Sequence, residues 1–179
     1  MKNSTTDMNR ASGKSSRMAR RRLGSLLGQA AALAAAAVMI GAPSSWAAST
    51  TLPNGLNPGL CLDAQTLDGR TLTGAVQMYA CNGGRAQQWI SGSGNSLRNG
   101  LNQALCLDAQ TLDGRTLTGK VQMYACNGGR AQQWISGSGN SLRNGLNQGL
   151  CLDAQTLDGR TLTGKVQMYA CNGGRAQQW

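Results

Sequence analysis

The chain has 179 residues, with 17 Lys and Arg against seven Asp and Glu, and it lacks histidine and phenylalanine. Glutamate is absent too, so most acid–base, nucleophilic and metal-centred chemistries are without their usual residues. The basic excess is uneven: Lys2, Arg10, Lys14, Arg17, Arg20, Arg21 and Arg22 all precede Leu23.

Behind that basic region runs an Ala-rich apolar stretch, Leu23 to Ala42, followed by Pro43 and the small-residue pattern Ser45-Trp46-Ala47. Basic, apolar and small-residue parts in this order predict a secretory signal peptide over residues 1–47, cleaved after Ala47. The competing reading is an uncleaved membrane anchor, against which the Ala and Gly content stands. The remaining 48–179 keeps ten basic and six acidic residues, a net charge of +4. These charges are spread rather than clustered, so neither a nucleic-acid partner nor, in the mature form, a membrane is expected.

From Cys61 the chain repeats with a period of 45 residues. Cys61–Leu105 and Cys106–Leu150 differ only at Ala75/Lys120 and Ala104/Gly149, and a third copy runs from Cys151 to Trp179. A period of this size marks one supersecondary unit used several times. Just upstream, Thr51–Asn57 aligns with Ser96–Asn102 at the same distance from its cysteine, and Leu52 takes the place of Leu97 and Leu142. This segment is expected to pair beside the third repeat and close the fold, with Pro53 at an edge or a bulge.

Within the unit, Leu60-Cys61-Leu62-Asp63 alternates apolar and other residues as a half-buried strand does. Asp68-Gly69 signals a turn, and Gly74 is expected to open the next strand. In Val76-Gln77-Met78-Tyr79, Val76 and Met78 should face inward and Gln77 and Tyr79 outward. Asn82-Gly83-Gly84 is a turn, Gln87–Ile90 a third strand and Ser96–Arg98 a fourth. With no helical periodicity in 48–179, these short strands predict an all-β, barrel-like domain.

All six cysteines lie in the repeats, two per copy. Export and an even count argue for disulfides, and repetition favours the local pairs Cys61–Cys81, Cys106–Cys126 and Cys151–Cys171 over the other pairings. Closing each loop should contribute about 3 kcal/mol. Zinc ligation has no support, because there is no short C-x-x-C pair and no histidine.

Three copies of C-L-D, V-Q-M-Y-x-C and N-G-G-x-x-Q-x-W resemble the ricin-type β-trefoil, the Q-x-W lectin family that includes the family 13 carbohydrate-binding modules. The resemblance covers 51–179. It implies a six-stranded barrel capped by three hairpins, with repeats at about 52–96, 97–141 and 142–179 and one sugar pocket per repeat. It also implies the site residues. The carboxylates are Asp63, Asp108 and Asp153, and the stacking aromatics are Tyr79, Tyr124 and Tyr169. Beside them stand Gln77, Gln122 and Gln167. The Q-x-W glutamines, Gln87, Gln132 and Gln177, help hold the aspartates, and Trp89, Trp134 and Trp179 serve the interior. One departure recurs: Ala86, Ala131 and Ala176 occupy the family's sugar-contacting asparagine position, where Arg85 or Asn82 is the candidate to compensate.

The expected function is that of a secreted, non-catalytic protein binding galactosides, xylan or a related polysaccharide, without metal or cofactor. It should be a monomer, although near-identical repeats invite swapping between chains. The competing readings are a protein-binding or structural trefoil with inactive sugar sites, a detached module of a glycoside hydrolase, and a hydrolase using Asp63 with Asp68.

Overall fold

The computed structural model describes residues 48–179. The signal-peptide reading of 1–47 lies outside the described residues. In chain order the strands are β1 (Ser49–Thr50), β2 (Leu60–Thr66), β3 (Leu72–Ala80), β4 (Trp89–Ser91), β5 (Leu97–Asn99) and β6 (Leu105–Thr111). They continue with β7 (Leu117–Ala125), β8 (Trp134–Ser136), β9 (Leu142–Asn144), β10 (Leu150–Thr156) and β11 (Leu162–Ala170). All the strands belong to one curled sheet, as an all-β trefoil requires.

Each repeat is built on a long antiparallel hairpin. In the first, β2 and β3 pair Cys61 with Tyr79, Asp63 with Gln77 and Ala64 with Val76. The register then slips, so that Thr66 lies opposite Leu72, because β3 carries two extra residues, Thr73 and Gly74, in a bulge. Gly74 adopts φ +89° there, a conformation that a residue with a Cβ enters only under strain. The strand therefore begins at Leu72, two residues before the glycine expected to open it. The other hairpins, β6–β7 and β10–β11, repeat this register.

The three hairpins meet one another around a threefold arrangement. β3 bridges to β7 at Ala75 and Gln122, β7 to β11 at Lys120 and Gln167, and β11 to β3 at Lys165 and Gln77. The core beneath them takes Leu62, Ala64, Val76, Met78 and Trp89 from the first repeat and their counterparts from the other two. Val76 and Met78 do face inward. The tryptophans sit where an apolar ring can be buried while its one donor finds a partner. Trp89, Trp134 and Trp179 donate through Nε1 to the carbonyls of Leu62, Leu107 and Leu152 at 3.1, 2.9 and 3.0 Å.

The N-terminal segment reaches the third repeat, as expected, but through single hydrogen bonds rather than a strand pairing: its one strand, β1, pairs with β4 of the first repeat, Ser49 with Ile90 and Thr50 with Trp89. Pro53 bridges Cys61 just as Arg98 bridges Cys106 and Arg143 bridges Cys151. Being an isolated bridge, it asks no ladder donor of the proline. Gly55 donates to Gln178 O at 2.8 Å and accepts from Arg175 Nε at 2.9 Å. A Cβ on Gly55 would stand 2.7 Å from Gln178 Cβ, so a glycine is needed where these two segments touch.

Three further local expectations are corrected. Cys61 and Asp63 are 2% and 6% exposed, so β2 is buried on both faces rather than alternating. The buried Gln87 belongs to the segment that covers the second face. Gln87 itself lies in a 3-10 turn, Arg85–Gln87, and the third strand begins only at Trp89. The turn is fixed by bonds from Gln87 N to Gly84 O and from Gln88 N to Arg85 O. The fourth strand is Leu97–Asn99, one residue later than expected.

Candidate functional site

The hairpin register brings Asp63 and Gln77 face to face, with Tyr79 two residues further along the same face of β3. The second wall is the segment after the disulfide, where Asn82, Arg85 and Ala86 look into the same cavity. The Cys61–Cys81 bridge, with its Cα atoms 5.0 Å apart, ties the start of β2 to the root of this wall. Cys106–Cys126 and Cys151–Cys171 do the same in the other repeats. The three cavities measure about 480, 470 and 310 Å³ and are lined by equivalent residues.

Asp63 Oδ1 accepts a hydrogen bond from Gln77 Nε2 at 3.0 Å, and Asp108 and Asp153 accept from Gln122 and Gln167 at 3.0 and 2.9 Å. Burial raises the pKa of each of these aspartates, opposed first by the Gln77-type amide and then by the Gln87-type amide. No buried side-chain polar atom among the described residues lacks a partner. The remaining lone pairs of each carboxylate therefore open onto the cavity. Tyr79, Tyr124 and Tyr169 are each 53% exposed, large rings open to solvent at the cavities they line. A ring face beside an ionised acceptor suits a ligand with one apolar face and a rim of hydroxyls.

Gln77 is itself held from behind. Thr73 Oγ1 donates to Gln65 Oε1 at 3.0 Å, and Gln65 Nε2 donates to Gln77 Oε1 at 3.4 Å. Thr118-Gln110-Gln122 and Thr163-Gln155-Gln167 repeat this chain. Sequence reasoning did not find Gln65 or Thr73. Gln65 carried a signal in following Asp63 by two residues on the same strand, whereas Thr73, in the bulge, carried none.

Gln87 is completely buried behind the wall. Its Nε2 donates to Ala80 O at 2.9 Å and its Oε1 accepts from Asn82 N at 2.9 Å. Its amide also acts on Asp63, in line with the expectation that this glutamine helps hold the aspartate. Its direct bonds staple the loop, and its influence on Asp63 is the weaker of the two amides. Gln132 and Gln177 make the same pair of bonds.

Ala86, Ala131 and Ala176 line the cavities, so the wall is short of an amide at that point. Arg85 and Asn82 flank the gap. Arg85 Nε donates to Gly100 O at 3.1 Å, which fixes the guanidinium and leaves its terminal amino groups for the cavity. Asn82 spends its Oδ1 on Gly84 N at 2.7 Å and keeps its amide donors. Asp68 is different from Asp63: it is exposed and accepts from Arg70 N, Thr71 N and Thr71 Oγ1. Backbone bonds from Thr71 and Arg70 hold its pKa low, as in a solvated turn.

The family model of the ricin-type beta-trefoil lectin domain matches residues 48–179. No curated protein matches the chain by sequence. Among solved structures, the hemolytic lectin CEL-III is 27% identical with a TM-score of 0.57, over 73% of this chain and 29% of its own. The β-trefoil lectin of the Vibrio vulnificus hemolysin/cytolysin, solved with N-acetyl-D-lactosamine, is 24% identical with a TM-score of 0.56. That match covers 74% of this chain and 91% of the other. A non-toxic homologue of type II RIPs from Momordica charantia (bitter gourd), in complex with α-methyl-D-galactoside, is 19% identical with a TM-score of 0.58. There the cover is 74% and 46%, so this chain spans less than half the length of the bitter-gourd protein and of CEL-III. With its three hairpins, three local disulfides and Q-x-W tryptophans packed in or against the core, the chain belongs to the ricin-type β-trefoil lectin family.

Proposed function

We propose that residues 48–179 form a secreted, non-catalytic carbohydrate-binding domain that takes galactose- or xylose-type sugars in up to three repeat-related pockets. The observation that carries this reading is a threefold pairing: an amide-held carboxylate stands beside a half-exposed tyrosine in every repeat. The tyrosine ring receives the C–H face of a pyranose, and the carboxylate accepts from adjacent hydroxyls through charge-assisted bonds. Three weak pockets on one rigid barrel gain avidity for a polymer without any further contact. The galactoside and N-acetyl-D-lactosamine bound by two related structures favour the galacto-configured arm.

Secretion rests on reading 1–47 as a cleaved signal peptide, and three disulfides suit an oxidising compartment. The absence of catalysis rests on carboxylate supply. Hydrolysis of a glycosidic bond uses two flanking carboxyl groups, whereas each cavity is lined by one aspartate and Asp68 is engaged by its own turn.

The recurrent alanine at 86, 131 and 176 favours a second reading, a protein-binding or structural trefoil whose sugar sites are inactive. A glycan array probed with 48–179 separates the two. The sugar reading expects signal on galactosides or xylo-oligosaccharides, competed by free sugar and indifferent to EDTA. A silent array from a folded, cooperatively melting domain overturns it in favour of the second.

A further inference from the structure

The repeats differ at very few positions, and one of these lies beside the pockets: Ala75 in β3, Lys120 in β7 and Lys165 in β11. Residues directly opposite in an antiparallel pair share a face, with Cβ atoms about 4.5–5.5 Å apart, and residues two apart on one strand share it too. Val76, Val121 and Val166 point into the core, so position 75 and its equivalents share the outer face with the pocket glutamines. Each therefore flanks two pockets. Lys165 precedes Gln167 by two residues and lies opposite Gln77, and Lys120 precedes Gln122 by two and lies opposite Gln167. Ala75 contributes no charge to Gln77 or Gln122.

The pockets are thus unequal despite near-identical sequences. The third, built on Asp153 and Tyr169, is flanked by both lysines, and the first and second by one each. Lys120 and Lys165 are exposed, with their ammonium groups free to meet a ligand. Asp153, Gln167 and Lys120 lie on three neighbouring strands, β10, β11 and β7, so Asp153 and Lys120 stand two strand spacings apart, about 10 Å. That is roughly the span of two sugar units. Arg175 lines this pocket just as Arg85 and Arg130 line the other two, so the lysines alone distinguish the third.

Resting on the reading of these pockets as sugar sites, we propose that the third pocket carries an anionic subsite. One sugar sits at Asp153 and Tyr169, and the carboxylate of a neighbouring uronic acid unit is received by Lys120 and Lys165. The ligand class is an acidic polysaccharide. Its neutral counterpart draws nothing from the lysines.

The test isolates single pockets. Tyr79→Ala with Tyr124→Ala leaves the third, and Tyr124→Ala with Tyr169→Ala leaves the first. Each variant is titrated by calorimetry with galactotriose and with trigalacturonate at low salt. The third pocket is expected to prefer trigalacturonate by about fivefold and the first by about twofold. Lys120→Ala with Lys165→Ala removes the preference of the third pocket, Ala75→Lys raises that of the first, and 0.5 M NaCl erases both. An equal ratio in the two pockets, or a ratio that survives loss of the lysines, overturns the subsite while galactotriose binding upholds the sugar reading. If the unmodified chain binds neither triose, both fall together.

Discussion

Asn54 Nδ2 donates to the carbonyl of Ala176 at 3.0 Å, across 122 residues of sequence. Asn99 and Asn144 make the same bond to Ala86 and Ala131, each at 2.9 Å. The N-terminal asparagine therefore does for the third repeat what the following repeat's asparagine does for the first and second. It is fully buried, and its Oδ1 also accepts from Leu56 N.

Asn54→Ala removes both bonds and leaves the part-buried Ala176 O and Leu56 N without this partner. The expected cost is about 2 kcal/mol, which in a domain of this size lowers Tm by roughly 6–10 °C. Differential scanning calorimetry of 48–179 reads it directly. An unchanged Tm would mean that residues 48–54 do not close the barrel in solution.

Replacing Tyr79 alone should weaken binding to soluble oligosaccharide only modestly, because Tyr124 and Tyr169 keep their exposed faces. Replacing all three with alanine should abolish retention on immobilised polysaccharide and leave Tm nearly unchanged, since half-exposed rings contribute little to the core. A triple variant retained as well as the parent would remove the aromatic platform from the mechanism.

Binding and stability should part company in acid. Burial holds the pKa of Asp63, Asp108 and Asp153 above 3.8, opposed by the Gln77-type and Gln87-type amides. A raised carboxylate pKa means the folded state takes up protons first as the pH falls. These three groups then stabilise the fold most fully below the unfolded value and lose that contribution as pH rises through the folded one. Ligand binding needs the ionised form, so it should fade as pH falls through that same window. Asp68, Asp113 and Asp158 have the opposite sign: their backbone bonds stabilise the fold above the unfolded value and are lost in acid. Affinity and Tm measured together from pH 7 to pH 3 should show affinity falling before Tm does. Affinity flat to pH 3 would exclude an aspartate acceptor.

Much of this was legible because repetition multiplies weak signals. One Q-x-W is slight evidence, but three in register with paired cysteines specify the barrel, the disulfides and the buried tryptophans. What escaped was tertiary. Gln87 looked like the start of a strand, yet its side chain bonds Ala80 O and Asn82 N and pulls the chain into a 3-10 turn. Thr73 and Gln65 could not be paired by counting, because the bulge at Gly74 shifts the register by two residues. The lysines at 120 and 165 were visible as differences, but their neighbours belong to other repeats.

The relay behind Gln77 is testable separately from the pocket. Gln65→Leu keeps the volume but frees Gln77 Oε1, which is close enough to solvent to be rehydrated, while Thr73 Oγ1 keeps its bonds to the carbonyl of residue 65 and to Ala75 N. Stability should change by less than about 1 kcal/mol, while affinity at the first pocket should fall about threefold as the Gln77–Asp63 bond loses its backing. Measuring it in a Tyr124→Ala, Tyr169→Ala background isolates that pocket. Unchanged affinity there would mean that Asp63 is positioned without the relay.

The short wall can be rebuilt by substitution. Ala86, Ala131 and Ala176 face the cavities, and their carbonyls are already committed to Asn99, Asn144 and Asn54. The backbone at these positions is therefore fixed, and an asparagine side chain placed there would project into the cavity from a set origin. Ala86→Asn, Ala131→Asn and Ala176→Asn should each add one hydrogen bond to a sugar hydroxyl, strengthening galactose or xylose binding about threefold to tenfold per site. The gain should be smallest at the third pocket, whose cavity of about 310 Å³ leaves less room than the 480 and 470 Å³ of the others. Isothermal titration of the three single variants reads both the size and the order of the effects. If none gains affinity although the parent binds, Arg85 or Asn82 already supplies the missing donor. If parent and variants alike bind nothing, the alanines mark a trefoil that has left sugar recognition, and the protein-binding reading takes its place.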